Sequence, residues 1–87
     1  MILHTVNKTA ALAKCLPMLG EDDVLLLIED GVLLGLETLQ LDTRVLALSA
    51  DVSARGLQTR LPDTISRIDY ADFVDLAARA DKVCAWF

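Results

Sequence analysis

The sequence predicts a three-layer α/β/α domain built on a five-stranded, mostly parallel sheet. Short apolar runs alternate with helical segments along the whole chain, the pattern of successive strand-helix-strand units. No hairpin turn signal joins neighbouring runs, which argues for parallel strands with helices on both faces. The run Val24 to Ile28 is apolar at every position, as expected of a central strand buried on both faces. It stops abruptly at Glu29-Asp30-Gly31, so its carboxyl end meets a tight turn. In open α/β sheets that edge is where ligands or partners usually dock.

The elements follow in order. Ile2 to Val6 is a short apolar strand, and Asn7-Lys8-Thr9 supplies turn and cap chemistry before a helical run. In that run Leu12, Cys15, Leu16 and Leu19 share one face, with Lys14 opposite. Pro17 must kink or end the helix near Leu16, since an interior proline costs roughly 3 kcal/mol relative to alanine. Gly20 closes the segment. After the central strand, Val32 to Gln40 carries Leu33, Leu36, Glu37 and Gln40 in helical rhythm, and Leu41-Asp42-Thr43 forms the exit. Arg44 to Ser49 is the third strand. Asp51 is placed to cap one helical turn over Val52 to Arg55, which Gly56 ends in the left-handed region. Leu57 to Asp63 reads as a polar, proline-bearing loop. Thr64 to Ile68 is a short fourth strand and Asp69 the N-cap of a helix whose apolar face is Tyr70, Phe73, Val74 and Ala77. Lys82 to Phe87 is the last strand.

Composition narrows the function. The chain has 87 residues, enough for a single core but near the size where burial becomes marginal. Its 54% hydrophobic content exceeds what so small a fold can hide, which predicts an apolar patch for a partner subunit. The net charge of −5 argues against direct binding of a nucleic-acid backbone. No apolar run reaches the length of about 18 residues that a membrane span needs. The apolar stretch after Lys8 is broken by Lys14 and Pro17, unlike a signal peptide. A cytoplasmic protein is expected.

Few residues qualify for chemistry. Cys15 and Cys84 form no CxxC pair, and one histidine, His4, gives no metal-ligand cluster, so neither a disulfide framework, a metal site nor a bound cofactor is expected. Cys15 is either a small hydrophobe on an apolar helix face or a thiol that accepts sulfur as a persulfide, which requires exposure and a thiolate-favouring neighbour. Cys84, between Val83 and Ala85, reads as core, and His4 as a satisfied structural histidine. Glu29-Asp30 is either an acid-base pair or a strand end that starts the next helix. Arg55 either binds an anion or a carboxylate of a partner, or faces solvent. Trp86 and Phe87 pack on the last helix or anchor a partner. No glycine-rich nucleotide loop or catalytic triad is present.

Taken in succession, Ile2-Leu3-His4-Thr5-Val6-Asn7-Lys8, Leu27-Ile28-Glu29-Asp30-Gly31-Val32, Asp51-Val52-Ser53-Ala54-Arg55-Gly56, Ile68-Asp69-Tyr70-Ala71-Asp72-Phe73-Val74-Asp75-Leu76 and Ala85-Trp86 resemble the DsrH/TusB family. The resemblance covers essentially the whole chain in order. It implies that residues 1–87 form one DsrH/TusB-like domain of the DsrEFH-like fold, the smallest subunit of a cytoplasmic sulfurtransferase complex. The implied partners are DsrE/TusD-like and DsrF/TusC-like subunits in a dimer of heterotrimers, with a small sulfur-carrier protein reached through the complex. In the tRNA branch such complexes pass persulfide sulfur towards 2-thiolation of the wobble uridine; in the other they serve cytoplasmic sulfur oxidation. The principal sulfur-accepting cysteine lies on a sister subunit in both. Cys15 falls where sulfur-oxidation members have a first-helix cysteine, which keeps it as a persulfide candidate. A purely structural subunit is the contrasting expectation.

Overall fold

The computed structural model describes residues 1–37 and 39–87. Five parallel strands, β1 (Ile2–Val6), β2 (Val24–Leu27), β3 (Arg44–Leu48), β4 (Ser66–Ile68) and β5 (Lys82–Trp86), lie in the order β4-β3-β2-β1-β5. The expected strand Val24 to Ile28 is the central one, and all four of its residues in the sheet are buried. Parallel strands require crossover connections. The first three connections lie on one face of the sheet, where Ala11, Cys15, Val32, Leu34, Val52 and Leu57 pack on Val6, Leu25, Leu27 and Ala47. The fourth, α3 (Tyr70–Arg79), lies on the other, where Leu76 packs with Leu3, Val24, Leu26 and Leu46. Each sheet face therefore has its own core, and the three layers match the expectation.

The first crossover is a 3₁₀ turn (Thr9–Ala11), a short helix α1 (Leu12–Cys15) and a second 3₁₀ turn (Leu16–Met18). Pro17 explains the change at Leu16, because it sits early in the new turn where its missing N–H costs least. Leu16, expected on the buried face, is 41% exposed as a result. The expected side-chain cap at Asn7-Lys8-Thr9 does not form: Lys8 is the cap residue and contributes its backbone carbonyl, which accepts from Ala11 N at 3.2 Å.

The helix expected over Val32 to Gln40 is a 3₁₀ helix over Glu29–Leu36, already extended at Glu37; Thr38 of the expected span lies outside the described residues. The early start has a specific cause. Glu29 adopts φ 50, so the chain reverses directly after the strand, and its N–H donates to the Asp51 carboxylate at 2.7 Å. Asp51 thus caps a neighbouring element. It does not cap its own helix, α2 (Ser49–Ala54), whose cap residue is Leu48. Gly31 serves close approach, since a Cβ there would lie 2.0 Å from the Val6 carbonyl oxygen. Gly56 has the expected left-handed φ of 65.

The loop after Gly56 is less polar in practice than its composition suggests, because Leu57, Leu61 and Ile65 are buried in the first core. Arg67 holds it shut, donating to the carbonyls of Leu61 at 2.9 Å, Ile65 at 2.9 Å and Pro62 at 3.2 Å. Asp69 caps α3 as expected, in a reciprocal capping box with Asp72. The buried side of α3 is Phe73, Leu76, Ala77 and Ala80. Tyr70 and Val74, expected to pack inward, face solvent, because Leu76 sets the line of contact with the sheet.

Candidate functional site

The one buried polar constellation in the described residues joins three strands. Asp23, just before β2, closes a turn in which its N–H donates to Gly20 O at 3.1 Å and its Oδ2 accepts from Gly20 N at 2.9 Å. Its Oδ1 accepts from Ile2 N at 2.9 Å, tying the start of β1 to β2. His4, on β1 and 1% exposed, places Nε2 3.1 Å from Asp23 Oδ2. On the other side of the ring, Trp86 of β5 donates its indole N–H to His4 Nδ1 at 3.0 Å. The two ring planes are nearly parallel, 15° apart, with centroids 6.2 Å apart.

The donors decide the tautomer. An indole N–H only donates, so Nδ1 is the acceptor and Nε2 carries the proton given to Asp23. The N–H groups of Gly20 and Ile2, followed by His4, hold the Asp23 carboxyl below the usual range against the opposing effect of burial. Every nitrogen of His4 is thus occupied, the satisfied structural histidine expected from its place in an apolar strand.

Cys15 lies on α1 and is fully buried in the first core. Burial, and then the nearby Cys84 and Asp23, push its thiol up to about 11. The nucleophilic thiolate is scarce at neutral pH in this conformation. Cys84 is half-buried on β5, directly opposite His4 in the strand register. Lys14 points away from the thiol, its Nζ donating to Phe87 O at 3.3 Å.

The remaining candidates lie elsewhere. Glu29 and Asp30 are at the carboxyl end of β2, opposite the end that carries Asp23. Asp30 accepts from Arg55 Nε at 2.9 Å, so the carboxylate partner of Arg55 is internal. An open cleft of about 590 Å³ runs between Gly35, Leu41, Arg44, Arg60 and Ile65, on the β3 side of the molecule, and none of the thiols lines it. Trp86 packs in the first core, on the sheet face opposite α3, so it does not rest on the last helix as expected, and Phe87 is 69% exposed. Sequence reasoning missed Asp23. The available signal was a lone histidine in an apolar strand, which needs a buried partner, and an aspartate immediately before another such strand.

The site is a polar clasp tying β1, β2 and β5 together, and the fold around it is a small parallel α/β domain. A family model described as DsrH like protein matches residues 4–83, and the chain belongs to that family. It is 40% identical to Protein TusB of Escherichia coli strain SMS-3-5 over 95 aligned positions, which cover 98% of this chain and all of the relative. It is 35% identical to Protein TusB of Salmonella dublin over the same extent. Among solved structures, the Thermotoga maritima protein Tm0979 superposes with a TM-score of 0.71 at 30% identity, covering 90% of this chain and 92% of that one. The ychN protein of E. coli shares the fold at 18% identity, with a TM-score of 0.71 and coverage of 97% and 96%. No described helix is long and apolar enough to cross a membrane.

Proposed function

We propose that this chain, acting as one domain over residues 1–87, is the assembly subunit of a cytoplasmic sulfur-relay complex. The complex passes persulfide sulfur towards 2-thiolation of the tRNA wobble uridine. The observation that carries this is full-length similarity to TusB proteins, at 40% identity with both chains covered almost end to end. Its partners are DsrE/TusD-like and DsrF/TusC-like subunits in a dimer of heterotrimers, and a small sulfur carrier is met through the complex. The net charge of −5 supports leaving tRNA contact to others. In this division of labour Cys15 is core. Its burial and raised thiol support that assignment, with the transferable sulfur carried on a sister subunit.

Two alternatives each rest on the position of Cys15 in the first helix. One is an accessory persulfide on Cys15, which requires α1 to move and expose the thiol. The other is membership of a sulfur-oxidation complex. A strain lacking this gene separates them. The proposal expects loss of wobble 2-thiouridine, measured by mass spectrometry of tRNA digests, and its full restoration by both the wild type and Cys15→Ser. Failure of Cys15→Ser alone favours the accessory persulfide. Unchanged 2-thiouridine, with dissimilatory sulfite reductase genes adjacent, favours the oxidation role.

A further inference from the structure

Most of the arginines in this chain are engaged by its own groups. Arg55 pairs with Asp30 and Arg79 with Asp75, and Arg67 donates to three carbonyls of the loop that follows α2. Arg44 and Arg60 differ. No ion pair among the described residues involves either of them. A shortage of carboxylates is not the reason, because the chain has 13 acids against 8 lysines and arginines. Both side chains line the same cleft, the one of about 590 Å³ on the β3 side of the molecule.

Arg44 comes to the cleft from the amino end of β3 and Arg60 from the loop after α2. Between them the lining is largely apolar. Leu61 and Ile65 belong to the first core, and Leu41 and Val45 pack against it. Among the described residues Glu37 is the one acid in the lining, so the two guanidinium groups leave a net positive charge over an apolar floor. One wall is set in advance, because Arg67 ties down the carbonyls of Leu61, Pro62 and Ile65. A wall already ordered spares a ligand the entropy of ordering it. Small-molecule sites are concave, of about 300–1,000 Å³, mostly apolar and carry a few placed polar groups. This cleft has each of those properties.

We infer that this cleft binds a small organic anion, with a carboxylate or phosphate head held by Arg44 and Arg60 and an apolar body over Leu41, Val45, Leu61 and Ile65. The planar guanidinium suits both heads, since it gives two parallel N–H bonds to a pair of oxygens. The floor favours a ligand with an apolar body over a bare inorganic ion, because only the former takes that surface out of water. A polynucleotide is disfavoured. The net charge of −5 repels an extended phosphate backbone, whereas a single anionic head meets mainly the local field of the two arginines. Neither cysteine lines the cleft, so the site binds its ligand without a covalent step.

The inference is independent of the proposed assembly role. Its test is a heteronuclear NMR titration of the isotope-labelled full chain with phenyl phosphate, phenylacetate, phenylacetamide and inorganic phosphate. At least one of the two organic anions is expected to give saturable shifts at the amides of Arg44, Val45, Leu61 and Ile65, and the tighter of the two identifies the head. Phenylacetamide keeps the body without the charge, and inorganic phosphate keeps the charge without the body. Each is expected to bind at least tenfold more weakly than the tighter anion. Arg44→Gln and Arg60→Gln are each expected to weaken that anion at least tenfold, and Arg79→Gln, on the opposite sheet face, to leave it unchanged. Unaltered spectra away from the cleft check that the variants fold. Absence of saturable shifts with both organic anions overturns the site. Equal binding of phenylacetamide reduces it to a plain apolar pocket, equal binding of inorganic phosphate to an adventitious ion only, and equal loss with Arg79→Gln to a general charge effect; each overturns the inference. Loss of anion binding when the DsrE- and DsrF-like neighbours are added assigns the cleft to a subunit contact and also overturns it.

Discussion

Trp86 Nε1 donates to His4 Nδ1 at 3.0 Å, joining the last strand to the first. On its far side the same ring meets Asp23, at the start of the central strand. The clasp closes the sheet at the β1–β5 boundary, where β5 has only one strand neighbour and is otherwise held by few buried side chains.

Trp86→Phe removes the donor and leaves His4 Nδ1 buried without a partner. An unsatisfied buried acceptor costs about 1–3 kcal/mol, and the smaller ring also loses packing in the first core. Urea unfolding is expected to show a loss of about 2 kcal/mol with the m-value unchanged. Stability equal to wild type would mean that the clasp contributes nothing to holding β5.

Asp23 titrates below its ordinary range in the folded chain. A carboxyl whose folded pKa is depressed contributes stability that is complete above the unfolded value, about 3.9 for aspartate, and is lost as pH falls through the folded value. Asp81, lowered by its pairing with the Met1 amino group, contributes in the same direction. Melting temperature is therefore expected to fall below about pH 4, and Asp23→Asn is expected to flatten part of that acid limb while lowering stability at neutral pH. An unaltered acid limb in the variant would contradict the assignment.

Two glycines separate close approach from backbone conformation. Gly31→Ala places a methyl against the Val6 carbonyl, which must move or break its bond with Ile28 N at 3.0 Å. That substitution is expected to cost more than about 3 kcal/mol, in the range of severe overpacking. Gly56→Ala meets no atom within 4 Å and carries only the left-handed penalty, about 1–2 kcal/mol. Comparison of the two denaturation midpoints checks the order, and a reversed order would refute both explanations.

The thiols differ in access. Cys84, half-buried on the edge strand, is expected to react with a chromogenic disulfide at pH 8 well before Cys15, and Cys15 to react only on the timescale of opening. In denaturant both are expected to react at similar rates. Fast labelling of Cys15 in the native chain would favour its role as a persulfide site.

Much of this architecture was legible because strand burial leaves a direct mark on sequence. The unbroken run Val24 to Ile28 marked the central strand, and Asp69 with Asp72 marked the start of α3. What escaped depended on contacts distant in sequence. Local sequence places Asp51 at the head of its own helix, whereas its partner Glu29 lies 22 residues away. Periodicity puts Tyr70 and Val74 on the apolar side of α3, but it does not show which part of that side meets the sheet. The clasp was half visible: His4 announced a need for partners, while Asp23 and Trp86 were supplied by strand order.

The account stands or falls on assembly. The most direct measurement is the mass and composition, by light scattering and quantitative gel, of the particle purified when this chain is co-expressed with its DsrE- and DsrF-like neighbours. The expected result is a single particle containing the three chains in equal amounts, twice each. A chain that elutes alone as a monomer, with the other two subunits associated without it, would contradict the account.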